Sequence, residues 1–387
     1  MGERYRGRMG DVVLLGDTVR SPELRHEVPL GIPDPFLYLE RNGVRHVVVA
    51  SFEIPLLEAI GGYALHPFEE FGIDELRRTS RSHVELLNEL VVRAVTAFGV
   101  ERALVPPTFP VLTADRLRAA GVEVVPSHDE FVARRRVKSG AELAGIRRAQ
   151  EAARAGMTVA RDLLRSASPN GAGVLELDGA PLTCERIKAA ISAAFLEHGC
   201  SAEAFVVAHG AQAAIAHHTG EGEIRSGEPV VVDLWPRDNL SSCCADMTRT
   251  FVVGEAPAEL AEWQALCREA LDRALAGLRP GVTGKELFDT VCDLFEAAGY
   301  PTQRTKADGE TLTQGFHHAL GHGVGLEVHE LPLLNLLGHE PLVAGDVIAI
   351  EPGLYRPGFG GLRLEDLALV TDGGSENLTR FPYDLAP

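Results

Sequence analysis

The strongest constraint on this chain is a set of acids placed where a soluble fold buries its strands. Val230, Val231 and Val232 lead straight into Asp233, Asp246 opens the strand-like DMTRTFVV, and Glu351 closes an apolar run before Pro352 and Gly353. Glu365 sits in the alternating LRLEDLALV of residues 362–370, and His322 stands between glycines in GHGVG, residues 321–325. Burying unpaired charge is strongly unfavourable, so four carboxylates drawn into one interior need an offsetting charge. Two divalent cations supply it, with Asp233, Asp246, His322, Glu351 and Glu365 as candidate ligands. One imidazole among four carboxylates makes a poor structural site and a good hydrolytic one.

Local patterns favour bringing these groups together. The interval from Asp233 to Asp246 carries the turn residues RDNLSS, so two strands joined by a hairpin put both acids side by side. Glycines at 321, 323 and 325 let the backbone pack tightly around the His322 imidazole. Strict alternation places Arg363 and Glu365 on one strand face and Leu362 and Leu364 on the other. Carboxylates are hard donors suited to Mn2+, and one histidine admits Co2+, Fe2+ or Zn2+. No thiolate is required, and Cys243 and Cys244 read as packing residues. Two ions together would bring a bridging water to hydroxide near neutral pH and polarise a carbonyl.

Strand-like runs at residues 12–15, 46–50, 102–105 and 122–125 take turns with helical patterns at 82–98 and 114–120, which indicates a small α/β layer. No glycine-rich phosphate loop follows any of these strands. The composition turns basic at 131–138; this run reads as a solvated linker face, and the division into domains 1–132 and 133–387 is placed there. Ser139 and Glu142 then form a capping box for a long helix to about residue 167. Helices are expected at 258–278 and 285–298, and strands at 204–207, 230–234, 248–253, 347–351 and 362–370. This is an α+β grouping with the strands in one sheet.

A chain of 387 residues suits two domains rather than one small core. Its formal charge of −18 argues against nucleic acid, whose phosphates need a basic face. The start has no apolar stretch between a basic end and a cleavage site, and the most apolar region, 47–65, is broken by Glu53, Pro55 and Glu58. No membrane association is expected, and a cytoplasmic location is the default. The cysteines at 184, 200, 243, 244, 267 and 292 show no CxxC spacing and read as reduced, mostly buried thiols.

VVVDLW, ADMTRTFVVG, LGHGVGLEVHELP, IAIEPGLY and GLRLEDLALVT resemble the motifs of the pita-bread metallopeptidases, prolidases and Xaa-Pro aminopeptidases in particular. The similarity extends to RRRVKSGAELAGIRRAQ and LRPGVTGKELFD and spans roughly residues 132–379. The preceding residues match the family's creatinase-type domain only in general pattern. The resemblance implies an α+β chain, with a C-terminal pita-bread catalytic domain preceded by a smaller α/β creatinase-like domain, forming a homodimer. It implies that Asp233, Asp246, His322, Glu351 and Glu365 are dinuclear metal ligands and that Glu351 also takes a proton from the bridging water. His217, His318 and His329 match histidines that contact the substrate or its oxyanion, and Arg363 matches an arginine that supports the ligand network. The implied reaction is hydrolysis of Xaa-Pro bonds in dipeptides or short peptides.

Three features depart from the family pattern. The Asp233-to-Asp246 interval exceeds the usual spacing by an even number of residues, which a hairpin absorbs without changing facing. DLWP replaces the common D-x-G after the first acid, and Ala216 replaces a frequent proline before His217. These changes reshape the substrate pocket without removing a ligand, so a non-proline specificity is the alternative. A creatinase-like hydrolase would have lost the carboxylates, and a non-catalytic binding module would not keep all five with three histidines. A methionine aminopeptidase usually lacks an N-terminal α/β domain of this size.

Overall fold

A computed structural model describes residues 10–387, in two units, Met1–Arg135 and Arg136–Pro387. The first unit is built on six strands: β1 (Asp11–Gly16), β2 (Phe36–Arg41), β3 (Val44–Val49), β4 (Ala64–Pro67), β5 (Arg102–Val105) and β6 (Glu123–Pro126). They lie in the order β4-β3-β2-β1-β5-β6. The β1–β2 and β2–β3 pairs are antiparallel and the others parallel. Side chains alternate across this sheet. Val13, Leu37, Leu39 and Val48 join Val91 and Val95 of helix His83–Ala97 on one side. Val12, Leu14, Tyr38 and Val47 meet Leu24, Leu57 and Phe131 on the other. This is the expected α/β layer.

The basic run at 131–138 is not a solvated face. The Arg134 side chain is only 14% exposed and donates to Glu27 at 2.7 Å, Glu40 at 2.8 Å and Glu130 at 2.8 Å. In the second unit Arg136 donates to both carboxylate oxygens of the buried Asp346, at 2.9 and 2.7 Å, and Lys138 pairs with Glu330. Acids arriving from remote strands and turns account for the basic composition. A buried carboxylate needs such a partner.

The second unit holds β7 (Val206–His209), β8 (Val230–Leu234), β9 (Met247–Phe251), β10 (Gly321–Gly323), β11 (Glu330–Leu334) and β12 (Val347–Ile350). After these come β13 (Gly353–Arg356), β14 (Gly360–Arg363), β15 (Asp366–Thr371) and β16 (Gly374–Asn377). They do not form the single sheet expected. β7-β8-β9 is one ladder, β11-β10-β12-β15-β16 a second, and β13-β14 a separate hairpin. Two breaks explain the division. Pro352 has no N–H with which to prolong β12, and Glu365 interrupts the strand expected over 362–370 by donating its N–H to Thr248 O of β9 at 3.0 Å. The expected facing survives that break: Leu362 and Leu364 enter the core, while Arg363 and Glu365 both reach Thr248.

The five-stranded ladder is covered on both faces. Val347, Ala349 and Leu367 pack with helices Gly140–Ser166 and Cys184–Glu197. Ile348, Ile350 and Ala368 pack with helices Ala258–Gly277 and Gly284–Ala297. Each fully buried Val, Ile or Leu among them contributes about 1.5–3 kcal/mol. The Ser139–Glu142 capping box is present, and a second one at Thr283 and Glu286 starts helix Gly284–Ala297. All six cysteines are free and buried. No described helix is long and apolar enough to cross a membrane.

Gly321 shows why the histidine strand is glycine-rich. A Cβ there would stand 1.9 Å from Ala349 O on the paired strand. Gly321→Ala is expected to lower stability by about 1–3 kcal/mol or more in denaturant unfolding. Gly171→Ala, whose Cβ would meet nothing within 4 Å, is the control and should stay within about 0.5 kcal/mol of wild type. Equal stability of the two variants would remove the steric account.

Candidate active site

Asp246, Glu351 and Glu365 stand just outside strand ends, and Asp233 and His322 lie within strands. Asp233 lies in β8, and Asp246 immediately precedes β9. The β8–β9 register pairs Asp233 with Thr248 and Leu234 with Met247. His322 is central in β10, opposite Ala349 of β12. Glu351 follows β12, and Glu365 precedes β15, whose Asp366 pairs with Ile350. The two ladders thereby converge on one buried space. Asp233, Asp246, His322 and Glu365 are all at most 9% exposed.

Within it, ligand atoms of Asp246, His322 and Glu365 all lie within 4.8 Å of one another. His322 Nε2 is 3.7 Å from Asp246 Oδ2 and 3.6 Å from Glu351 Oε1. Two donors about 2.1 Å from one ion stand about 3.0–3.5 Å apart, so these separations suit a shared cation. His322 Nδ1 lies 3.1 Å from Gly323 O, a group that only accepts. The proton therefore sits on Nδ1, and the Nε2 lone pair faces the acids. Asp233 is not part of the trio. Its Oδ2 accepts from Arg363, while its Oδ1 is buried with no hydrogen-bond partner.

The charge balance decides what the site needs. Arg363 is buried against Asp233 and offsets one of the four carboxylates, leaving three. Burial, reinforced by Glu365, Asp233 and Glu351, holds Asp246 well above the usual carboxylate range. Burial and the neighbouring Glu351 and Asp233 do the same to Glu365. Burial lifts Glu351 to about 7 even though Arg363 opposes the rise. Burial pushes His322 down to about 3, aided by His329. Neutral imidazole, surplus carboxylate and an orphaned Asp233 oxygen together fit divalent cations.

A second group of side chains borders the acids. Arg363 donates from Nη1 to Tyr355 OH and from Nε to Thr248 Oγ1, at 3.0 and 3.3 Å. Thr248 Oγ1 in turn donates to Glu365 Oε2 at 2.7 Å. His318 bonds Ala319 O through Nδ1 at 2.7 Å, so its Nε2 accepts from Tyr355 OH at 3.0 Å. Burial, then Arg363, brings His318 down to about 3. His329 is exposed but its ring centre lies 4.2 Å from that of His322. His217 is exposed as well, and its charge would bear on both His318 and His329, which places it on the same side. The sequence reading passed over Tyr355 and Thr248. Both lie inside the motifs that carried the other residues, but nothing local distinguishes a buried tyrosine that bonds an arginine from one that only packs.

The whole architecture, a smaller α/β unit followed by a pita-bread α+β unit, occurs in solved metallopeptidases. The Xaa-Pro dipeptidase from Bacillus anthracis superposes with a TM-score of 0.77 at 22% identity, covering 97% of this chain and 94% of that one. The X-Pro aminopeptidase from Thermotoga maritima gives 0.76 at 22% identity, over 97% and 96%. Residues 144–372 match metallopeptidase family M24, and the chain belongs to that family. Among its relatives are the Xaa-Pro dipeptidase of Pyrococcus furiosus, 36% identical over 181 residues, and a probable dipeptidase of Mycobacterium tuberculosis, 34% identical over 201. The alignments cover 46% and 51% of this chain, and the chain spans about half the length of either relative, 48% and 50%. Family membership implies divalent metal ions at the acid cluster.

The shifted groups set a pH signature for the metal-free protein. A carboxyl whose folded pKa is raised stabilises the fold while protonated, and that stability is lost as pH rises through the folded value. Histidines lowered by burial act in the opposite sense, but only below their ordinary value of 6.5. Above about pH 6.5 the carboxylate effect remains alone. The Tm of chelated protein should therefore fall as pH rises from about 6.5 to 8.5, and added divalent cation should abolish the slope. A level or rising Tm without metal would show that the acids are already offset.

Proposed function

We propose that this protein is a dinuclear metallopeptidase that hydrolyses Xaa-Pro bonds in dipeptides or short peptides. The observation that carries the reading is the set of three carboxylates left without a counter-charge around a neutral, oriented imidazole. Asp233, Asp246, His322, Glu351 and Glu365 would hold two divalent ions, with Mn2+ favoured by the hard oxygen donors. Such ions acidify water and polarise a scissile carbonyl. The rest falls to the chain's own side chains. Glu351 would accept the proton of the attacking water. His318 is held neutral and in one tautomer by Ala319 O and Tyr355, so it can border a substrate without adding charge. His217 and His329, on the exposed rim, complete the contacts to the peptide and its developing oxyanion. Arg363 holds Asp233 in place.

An X-Pro bond suits this arrangement because it is a tertiary amide without an N–H, and the site requires none. The uncompensated acids would also attract the substrate's ammonium group. In this reading residues 1–132 form the creatinase-like domain and 133–387 the catalytic one, in a cytoplasmic homodimer. The DLWP segment beside Asp233 favours a second reading, in which the pocket accepts residues other than proline.

Elemental analysis of the reconstituted protein is expected to give two ions per chain. Glu351→Gln should lower kcat by about 100- to 10,000-fold while substrate still binds. A Gln variant with near wild-type kcat would assign the base elsewhere.

A panel of X-Pro and X-Ala dipeptides, with Ala-Pro-Ala beside Ala-Pro, tests the substrate. Faster cleavage of X-Pro is expected. Equal or faster cleavage of X-Ala would keep the metallopeptidase and discard the proline preference.

A further inference from the structure

We infer that Arg249 is a positioning residue for the metal centre: from behind the site it ties the backbone carrying Glu365 to the strand that follows Asp246. This rests on the metal reading above. Arg249 occupies β9 between Thr248 and Thr250 and is 1% exposed. Its Nη1 donates to the main-chain oxygens of Thr248 and Glu365, both at 2.8 Å. Its Nε donates to Pro382 O at 2.9 Å. Its Nη2 donates to Asp366 Oδ1 at 2.9 Å and Phe381 O at 3.2 Å. The Tyr383 ring stacks 4.3 Å from the guanidinium carbon, and Tyr383 OH donates to the other oxygen of Asp366.

Glu365 is where this network matters. It sits at the break between β14 and β15, where the strand ladders do not reach. Its N–H goes to Thr248 O at 3.0 Å, and its carbonyl accepts from Arg249. Both main-chain groups of one proposed ligand are therefore held by β9, the strand that Asp246 opens. Thr250 extends the seam, accepting from Arg363 N at 3.1 Å and donating to Arg363 O at 3.0 Å. Without the guanidinium, the Glu365 carbonyl would be buried and unpaired, which is unfavourable. The segment would move to find another donor, and the distance between Asp246 and Glu365 would change with it. Groups that orient metal ligands are commonly worth about 10–100-fold in affinity. Lysine cannot replace the contact, because a planar fork serves acceptors at residues 248, 365, 381 and 382 where an ammonium is a point donor.

The plainer role for Arg249 is to anchor residues 381–383, with no effect on the metal. Arg249→Lys separates the two. Chelated wild type and variant are titrated with Mn2+ by calorimetry, and the metal-free Tm of each is recorded. The expected result is Mn2+ binding weakened about tenfold or more, with kcat restored by saturating Mn2+ and KM unchanged. Wild-type Mn2+ affinity in a folded variant with a lowered metal-free Tm would overturn the inference and leave the anchoring role. If the lysine variant does not fold, Asp366→Asn keeps Arg249 and removes the charge that Nη2 faces together with one acceptor oxygen; several-fold weaker Mn2+ binding is expected there, and unchanged affinity would overturn the inference equally. Failure of the wild-type protein itself to bind Mn2+ would instead remove the metal reading on which it stands.

Discussion

Arg363 and the four carboxylates around it share a space from which water is largely excluded, and their imbalance governs the rest of the catalytic unit. One guanidinium cannot offset four acids. It pairs with Asp233 and leaves Asp246, Glu351 and Glu365 to find protons or cations. The imidazole beside them stays neutral because it too is buried. A fold that kept this cluster for stability alone would be better served by apolar residues of the same volume. The cluster makes sense as a cation receptor whose affinity is set by how firmly its oxygens are kept from moving apart.

That firmness comes from the ends of two ladders. The apolar alternation of β12 drives Ile348 and Ile350 to one core and Val347 and Ala349 to the other. Glu351 follows at the first position that neither core requires. Gly321 and Gly323 bring the histidine strand against its neighbours more closely than any side chain would permit. Thr248 and Thr250 fasten the 363–365 segment to β9 by hydroxyls rather than by a regular ladder. Tyr355 links Arg363 to His318, so the ligand network and the neighbouring histidine share one hydrogen-bonded chain.

How much of this was legible in the sequence depended on the range of each interaction. Acids interrupting apolar runs are a local signal, and Asp233, Asp246, Glu351 and Glu365 carried it, with His322 marked by its glycines. The Ser139 capping box was equally plain. Helix Cys184–Glu197 was overlooked although Thr183 caps it and Ile187, Ile191 and Phe195 repeat every fourth residue. Arg134 was misread for a different reason. A basic linker looks solvated unless its partners are known, and Glu27 and Glu40 lie about a hundred residues away. The single sheet expected for the second unit failed because Glu365 exchanges a ladder partner for Thr248, a choice made in space and invisible in the alternation of residues 362–370. Arg249 escaped for the same reason, since a strand arginine reads as a surface residue until the tail that covers it is placed.

The seam between β9 and Glu365 joins residues separated by more than a hundred positions. Pairings of that span carry a loop-closure cost that local contacts do not. The acids come together only where both ladders and the tail over Arg249 are in place, and each segment by itself offers single carboxylates rather than a receptor. The receptor is a property of the finished fold rather than of any one segment of the chain.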